Sequence, residues 1–250
     1  VSNYATIYKL FSRIEFNECY HLSGVSFVDY SLETTRLIMD ANFNSTSCLL
    51  DVITKVSKKC KIFYAGSSEM FGNPSVTPQT EETPLNPKTI YGISKVTSYY
   101  LLKQYREKEN IFTCTGIIYN HESPRRGGEF VTKKIITSAI KIKKGLQKEL
   151  YLGNIDAQRD WGYAPDYVEA MWKIMQQKAP DDFIISTGKL HSVREFTQMV
   201  FLYLDMNYLD YVKIDSKFFR EGENNALCCD SSKIKKAFGW FAATSLSDTI

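Results

Sequence analysis

Two stretches, residues 60–65 (CKIFYA) and 112–119 (FTCTGIIY), are apolar or small at nearly every position. A strand that alternates apolar and polar residues buries one face, whereas a strand apolar throughout must be covered on both. That condition is met chiefly by parallel sheets lying between layers of helix. Parallel neighbours need a crossover connection of a dozen or more residues, and residues 91–109 between these strands have helical spacing. The alternation extends outward. Residues 3–16 and 34–56 read as helices, with a short apolar strand at 18–23 between them. Beyond a basic amphipathic helix at 131–145 come a strand at 149–152, a helix at 166–177, a strand at 182–187 and a helix from Val193. After Tyr208 the pattern breaks into short strands and loops before a small helix at 231–238. The fold class expected is α/β: a parallel sheet flanked by helices, with a smaller C-terminal lobe packed at the C-terminal edge of the sheet. The deepest cleft is expected between lobe and sheet, and 250 residues suffice for such an arrangement.

Composition narrows the classes of partner. A net charge of +3 is too small to argue for nucleic acid, and the lysines at 141–145 and 233–236 sit at helical spacing beside apolar residues, as on solvated faces. No apolar run approaches the ~20 residues of a membrane span. Residues 1–16 lack a basic segment followed by an apolar core, so no secretion signal is expected. Six cysteines show no CxxC spacing and three histidines stand isolated, which fits reduced cytoplasmic thiols and no metal site.

The chemistry is concentrated in two short segments. Tyr91 and Lys95 lie four apart in a helix, so both side chains emerge on one face. An ammonium beside a phenol favours the phenolate, lowering a pKa that starts near ~10. Such a tyrosine can exchange a proton during hydride transfer at a hydroxyl or ketone. Spacing alone is weak, because Tyr99 and Lys103 repeat it in the same helix; Tyr91 differs in opening the helix after a proline-rich loop. Upstream, the strand at 60–65 runs into Gly66-Ser67-Ser68-Glu69, and parallel strands present ligands at such ends. There Ser67 can bond a substrate oxygen and Glu69 can work as acid–base. A turn with an N-capping serine and a helix-start glutamate reads equally well.

Longer segments add to this. AGSSEMFG (65–72), NPKTIYGISK (86–95), IIYNHESPRRGGEFVTKKI (117–135), LGNIDAQRDWGYAPDYVEAMW (152–172) and DDFIISTG (181–188) closely resemble the GDP-mannose 4,6-dehydratase branch of the extended short-chain dehydrogenases. The likeness runs from about Glu18 to Trp240. It implies a Rossmann-like sheet, with residues 1–125 part of an NADP-binding domain. Residues 126–250 would mainly form a substrate-binding lobe, some segments returning to the sheet. It also implies oxidation of the hexose at C4, loss of water from C5 and C6, and return of the hydride to C6. By matching motifs, Tyr91 is the base that starts the oxidation, and Lys95 tunes it and holds the nicotinamide ribose. Ser67 matches the family's Thr/Ser, and Glu69 its C5–C6 acid–base. Leu22, Ser23, Gly24, Val25 and Ser26 match the cofactor-contacting turn, and His121 and Arg126 further cofactor contacts. Asn120, Lys134, Arg159, Arg220 and Glu223 match contacts to the GDP-sugar, the two arginines on the diphosphate. Family members commonly form homodimers or homotetramers.

The chain also departs from the family's pattern. The Gly-rich phosphate loop TGxxGxxG occurs nowhere in it, so the first two βα units are expected to be missing. His21-Leu-Ser-Gly-Val25-Ser stands where the family usually shows Asn-Leu-Ala-Ala-Gln-Ser, and Arg220-Glu-Gly-Glu223-Asn replaces Arg-Pro-x-Glu-Val. Dehydration of another GDP-linked sugar such as a heptose, a GDP-sugar epimerase or reductase, and a non-catalytic nucleotide-sugar-binding relative are the alternatives. Glu69 favours the dehydratase, since epimerases and reductases need no elimination base at C5.

Overall fold

The computed structural model describes residues 3–26, 34–219 and 227–250. Helix α1 (Tyr4–Arg13) leads into strand β1 (Glu18–His21). A continuous helical stretch follows, made of α2 (Thr35–Met39), a π-helical turn (Asp40–Asn44) and α3 (Ser45–Val56). Then come β2 (Lys61–Ser67), α4 (Ile90–Glu109), β3 (Thr113–Ile118) and β4 (Asn120–Glu122). Next are α5 (Val131–Lys143), β5 (Leu150–Leu152), β6 (Gln158–Arg159), β7 (Trp161–Tyr163) and α6 (Ala164–Met175). The chain continues through β8 (Phe183–Ile185), β9 (His191–Ser192), α7 (Val193–Tyr203) and β10 (Val212–Ile214). Helices α8 (Ser232–Phe238) and α9 (Leu246–Thr249) close it.

Strands β1, β2, β3 and β8 form one parallel sheet in the order β1-β2-β3-β8, and they are four of the five strands expected; the fifth, at 149–152, pairs outside it as β5. The cover on both faces is the reason for those runs. Ile62 and Tyr64 of β2 pack with Leu49, Leu50 and Ile53 of α3 and Leu102 of α4. Phe63, between them in sequence, points the other way, into a cluster with Tyr167, Ala170 and Ile174 of α6. Successive residues thus feed opposite cores, and the polar positions that do occur in β3, Thr113 and Thr115, are fully buried. A third cluster contains no residue of this sheet. It joins Ile135, Ala139 and Ile142 of α5 to Phe196, Val200 and Phe201 of α7, with Trp161 between them.

Three small pairings were not legible from the sequence: β4 with β7 and β5 with β10, both parallel, and β6 with β9, antiparallel. Of these six strands only β5 was expected; the others are two or three residues long and carry too few positions for a period to show. Local signals do set several helix ends. Thr89 accepts a hydrogen bond from Gly92 N at 2.9 Å, and Ser192 and Glu195 form a reciprocal capping box. Among the described residues no helix is long and apolar enough to cross a membrane.

A buried ion pair ties helix α4 to the edge of the sheet. Arg106 of α4 reaches both carboxylate oxygens of Asp182, just before β8, and the same carboxylate accepts from Thr115 N of β3 at 2.8 Å. Removing one partner strands the other charge in a site little exposed to water. Asp182→Ala is therefore expected to cost about 3–5 kcal/mol. It should read as a lower urea midpoint with an unchanged slope; a midpoint equal to the parent's would show that the pair holds nothing together.

Candidate active site

The C-terminal ends of the parallel strands meet at one cleft. Strand β2 ends on Ser67, after which Ser68–Met70 form a single 3₁₀ turn. Ser67 Oγ accepts from Glu69 N at 3.3 Å, which fixes the residue that carries the carboxylate. Helix α4 begins against this turn: a β-carbon on Gly92 would stand 2.6 Å from the carbonyl oxygen of Glu69. Only glycine lets the helix come this close, and the approach brings Tyr91 beside Ser67 and Glu69. One turn on, Lys95 is 6% exposed, and its ammonium donates to the carbonyl of Ala65 at 2.9 Å. It also lies 5.1 Å from the ring centre of Tyr64 and 5.7 Å from that of Tyr91.

The turn after β1 forms another wall. His21 is buried at the end of the strand, and Thr46 determines its tautomer. The Thr46 hydroxyl donates to Asn42 O at 2.6 Å, so it accepts from His21 Nε2 at 2.9 Å. His21 Nδ1 is left to accept from Ser23 Oγ at 3.1 Å. Burial, and after it the charge of Lys95, push the His21 pKa down to about 4, so the ring is neutral at ordinary pH.

The far wall comes from the second half of the chain. Pairing of β4 with β7 sets Asn120 opposite Trp161 and His121 opposite Gly162. His121 Nδ1 lies 3.0 Å from the carbonyl of Tyr119, which can only accept, so Nδ1 carries the proton and Nε2 keeps its lone pair. The ring stacks on Tyr167 at 5.4 Å, and burial lowers its pKa. Arg126 pairs with Glu122 at 3.4 Å and lies flat over Phe130, 3.5 Å from the ring centre. Arg159 is set by its neighbour Asp160, whose buried carboxylate accepts from Thr187 N, Thr187 Oγ1 and Gly188 N.

Together these groups enclose a cleft of about 360 Å³ lined by Ser67, Glu69, Tyr91, Lys95, Asn120, His121, Arg126 and Arg159, with Leu22, Gly24, Val25 and Ser26 on the turn side. A second cavity of about 440 Å³ adjoins it and shares Asn120, Arg126, Phe130 and Arg159. Among the described residues no group of His, Cys, Asp and Glu could hold a metal ion, and all six cysteines are free.

The family model described as GDP-mannose 4,6 dehydratase matches residues 1–250. The chain belongs to that family. It is 43% identical over 228 residues to GDP-mannose 4,6 dehydratase 2 of Arabidopsis thaliana, covering 90% of this chain and 61% of that one. To the GDP-mannose 4,6 dehydratase of Dictyostelium discoideum it is 38% identical over 265 residues, covering 98% and 74%. The chain thus spans about three fifths of the length of the Arabidopsis relative. The structure of RMD from Pseudomonas aeruginosa complexed with NADPH superposes with a TM-score of 0.86 at 20% identity, covering 93% of this chain and 78% of that one. At that identity the likeness is one of fold.

In this GDP-mannose 4,6 dehydratase family member, most residues singled out by motif meet at the first cleft. Lys134 does not line it. Its ammonium faces the second cavity, donating to Tyr151 O at 2.7 Å and lying over the Phe218 ring. Ser23 turns away to His21, and Arg220 and Glu223 lie outside the described residues. Tyr99, the repeat of the Tyr–Lys spacing, is buried with Lys103 over its ring rather than a surface residue, and it lines neither cavity. Phe130 and Met171 of the first cleft, and Phe218 and Phe219 of the second, carried no signal that set them apart from core aromatics and aliphatics.

The electrostatics correct one expectation. The Tyr91 phenol is not lowered but pushed up to about 12, because burial outweighs the downward pull of the Ser67 hydrogen bond and of Arg126, and the Glu69 charge adds to the rise. Lys95 contributes little because its ammonium is turned to the Ala65 carbonyl, and burial pushes its own pKa down to about 8.

Proposed function

We propose that this protein catalyses the NADP-dependent dehydration of a GDP-sugar, converting GDP-mannose to GDP-4-keto-6-deoxymannose. The observation that carries the reading is the meeting of Glu69 with Ser67, Tyr91 and Lys95 at one strand-end cleft. A proton-transferring phenol alone would serve an epimerase or reductase equally; a carboxylate beside it supplies the elimination base. The names of the Arabidopsis and Dictyostelium relatives support the same reading. Residues 1–125 act mainly as part of the cofactor domain and residues 126–250 mainly as the substrate lobe, with β8 returning to the sheet.

The cleft fits the nicotinamide-ribose end of a dinucleotide. Leu22, Gly24, Val25 and Ser26 line it together with the buried Lys95, and Gly24 presents no side chain there. Leu22, Ser23, Gly24, Val25, Ser26, Tyr91, Lys95, His121 and Arg126 would hold the group. When bound, NADP supplies the hydride acceptor at C4 and the hydride donor at C6. The NADPH in the Pseudomonas structure supports a nicotinamide cofactor.

The chain's residues manage the protons. Ser67 bonds the C4 oxygen, and Tyr91 takes its proton as the carbonyl forms. That carbonyl acidifies C5, from which Glu69 removes a proton and returns it to the departing C6 hydroxyl, so that one water leaves. As the hydride returns to C6, C5 takes up a proton, balanced by the one that Tyr91 releases. Tyr91, high in pKa, is a strong base once ionised, and the neighbouring Arg126 favours the ionised form. Asn120, Lys134, Arg159, Arg220 and Glu223 hold the GDP-sugar, which extends from the first cleft into the second. By resemblance to its family the enzyme works in the cytoplasm as a homodimer or homotetramer.

The test is product analysis by NMR after full-length protein is incubated with GDP-mannose and NADP. A C6 methyl group beside a C4 ketone is expected. An intact C6 with an inverted hydroxyl would make the protein an epimerase, and failure to bind NADP(H) at all would favour a non-catalytic relative.

A further inference from the structure

A third cavity, of about 300 Å³, shares no lining residue with the first cleft. It does share Trp161 with the second. That residue is 2% exposed and packs on Phe196, with 5.3 Å between ring centres. Met199 of α7 and Leu246 of α9 extend the apolar lining, and Lys189 and His191, at the entry to β9, supply its basic groups. The size is at the lower end of small-molecule sites, and an apolar body with a few polar groups is their usual character.

Charge decides what such a cavity takes. Among the described residues the Lys189 ammonium has no ion pair or hydrogen bond. The carboxylates around it are committed elsewhere. Asp160 accepts from Thr187 and Gly188, Asp166 from Thr244 N and Oγ1, and Asp248 from Ser245 Oγ. Glu195 accepts from Ser192 N at 2.8 Å and stands 3.7 Å from His191 Nδ1, so it serves its own helix end and the imidazole. Lys189 is the cation left over, and a carboxylate is the complement of a lone ammonium. The indole, thioether and aliphatic lining suits a flat apolar body behind that carboxylate.

The cavity is also tied to the substrate residues. Asp160 holds residues 187 and 188 on one side and follows Arg159 directly on the other, and Arg159 lines both substrate cavities. Pairing of β6 with β9 sets Arg159 opposite His191. These strands have two residues each, and so short a pair is marginal unless something holds it. We propose that the third cavity is an effector site for a small aromatic carboxylate, whose binding orders the β6–β9 pair and so tightens the hold of Arg159 on the nucleotide. The coupling, though not the binding, rests on the reading of Arg159 as a GDP-sugar residue.

The experiment titrates full-length protein calorimetrically with 2-naphthoate, and with 2-naphthamide as a probe of the same shape without the charge. A Kd of about 1 mM or below is expected for the acid. Lys189→Met should weaken the acid about fivefold, the upper range for an exposed ion pair, and leave the amide unchanged. Ala243→Trp narrows the third cavity alone, so it should abolish binding of both probes and leave GDP affinity as in the parent. Acid and amide binding alike, or naphthoate binding that survives Ala243→Trp, overturns the site. Saturating naphthoate should tighten GDP about fivefold, and GDP should tighten naphthoate by the same factor. Unchanged GDP affinity, or competition between the two, overturns the coupling. If the protein binds no GDP, the reading of Arg159 fails on its own account, and backbone hydrogen exchange then decides. Slower exchange at residues 158–161 with naphthoate bound upholds the proposal, and exchange slowed at 187–191 alone overturns it.

Discussion

Glu69→Gln is expected to lose dehydration by about 10²–10⁴-fold, the usual contribution of a placed acid–base, while C4 oxidation persists. Glutamine keeps the shape of the side chain and the bond from its backbone N–H to Ser67, but it can neither take a proton from C5 nor deliver one to the C6 hydroxyl. Tyr91, Ser67 and Lys95 remain, so reduced nicotinamide should build up on the enzyme and appear as near-ultraviolet absorbance without a C6 methyl product. The substitution also has a pH signature. Burial is the main reason the Tyr91 phenol sits near 12, and the Glu69 charge raises it further. Removing that charge lets the phenol ionise at lower pH, so the pH profile of C4 oxidation should move downward. Turnover at the parent rate would remove Glu69 from the chemistry, and an unmoved profile would show that its charge does not face Tyr91.

The parts of this site that were legible share a physical origin. β2 and β3 showed because each residue must satisfy one of two cores, which leaves little room for polar side chains larger than serine or threonine. Ser67 read equally well as a cap and as a ligand, and the structure shows why the two readings did not compete: its Oγ accepts from Glu69 N and still faces the cleft. Tyr91 and Tyr99 have identical spacing to a lysine, and only packing separates them, since α4 turns the first to the strand ends and buries the second elsewhere. The direction of the Tyr91 shift could not be read from composition or spacing, because it depends on how deeply the ring is buried and where the ammonium points. The helix at 34–56 was legible as a helix, but its π-turn was not; no glycine or proline marks residues 40–44. Lys134 and Arg159 were grouped by motif, whereas the structure assigns them to two adjoining cavities with only Arg159 common to both.

Lys95→Met is expected to stabilise the protein at neutral pH while lowering turnover by about 100-fold or more. The ammonium is almost wholly buried, and that burial pushes its pKa down to about 8 from an ordinary 10.5. The sign follows by linkage. Between about pH 8 and 10.5 the unfolded chain holds a proton that the folded chain has released, so stability rises with pH across that window. Below about 8 both states are charged, and the folded state bears the whole desolvation cost. Methionine has similar length and no charge, so it relieves this cost; buried ions replaced by apolar groups of like volume often gain about 1–4 kcal/mol. The bond to Ala65 O and the contact with the Tyr64 ring are lost, offsetting about 1 kcal/mol of the gain. Urea midpoints at pH 7 and pH 10 would measure both effects: a higher midpoint for the variant at pH 7, and a smaller difference at pH 10, where the parent has shed its proton. A variant less stable than the parent at pH 7 would mean that the Ala65 contact outweighs desolvation. A stabilising substitution that disables the enzyme places the value of Lys95 in the cleft rather than in the fold. A buried cation costs the folded state, and on the proposed reading of the cleft what it would offer in return is a donor and a positive charge for the cofactor's ribose.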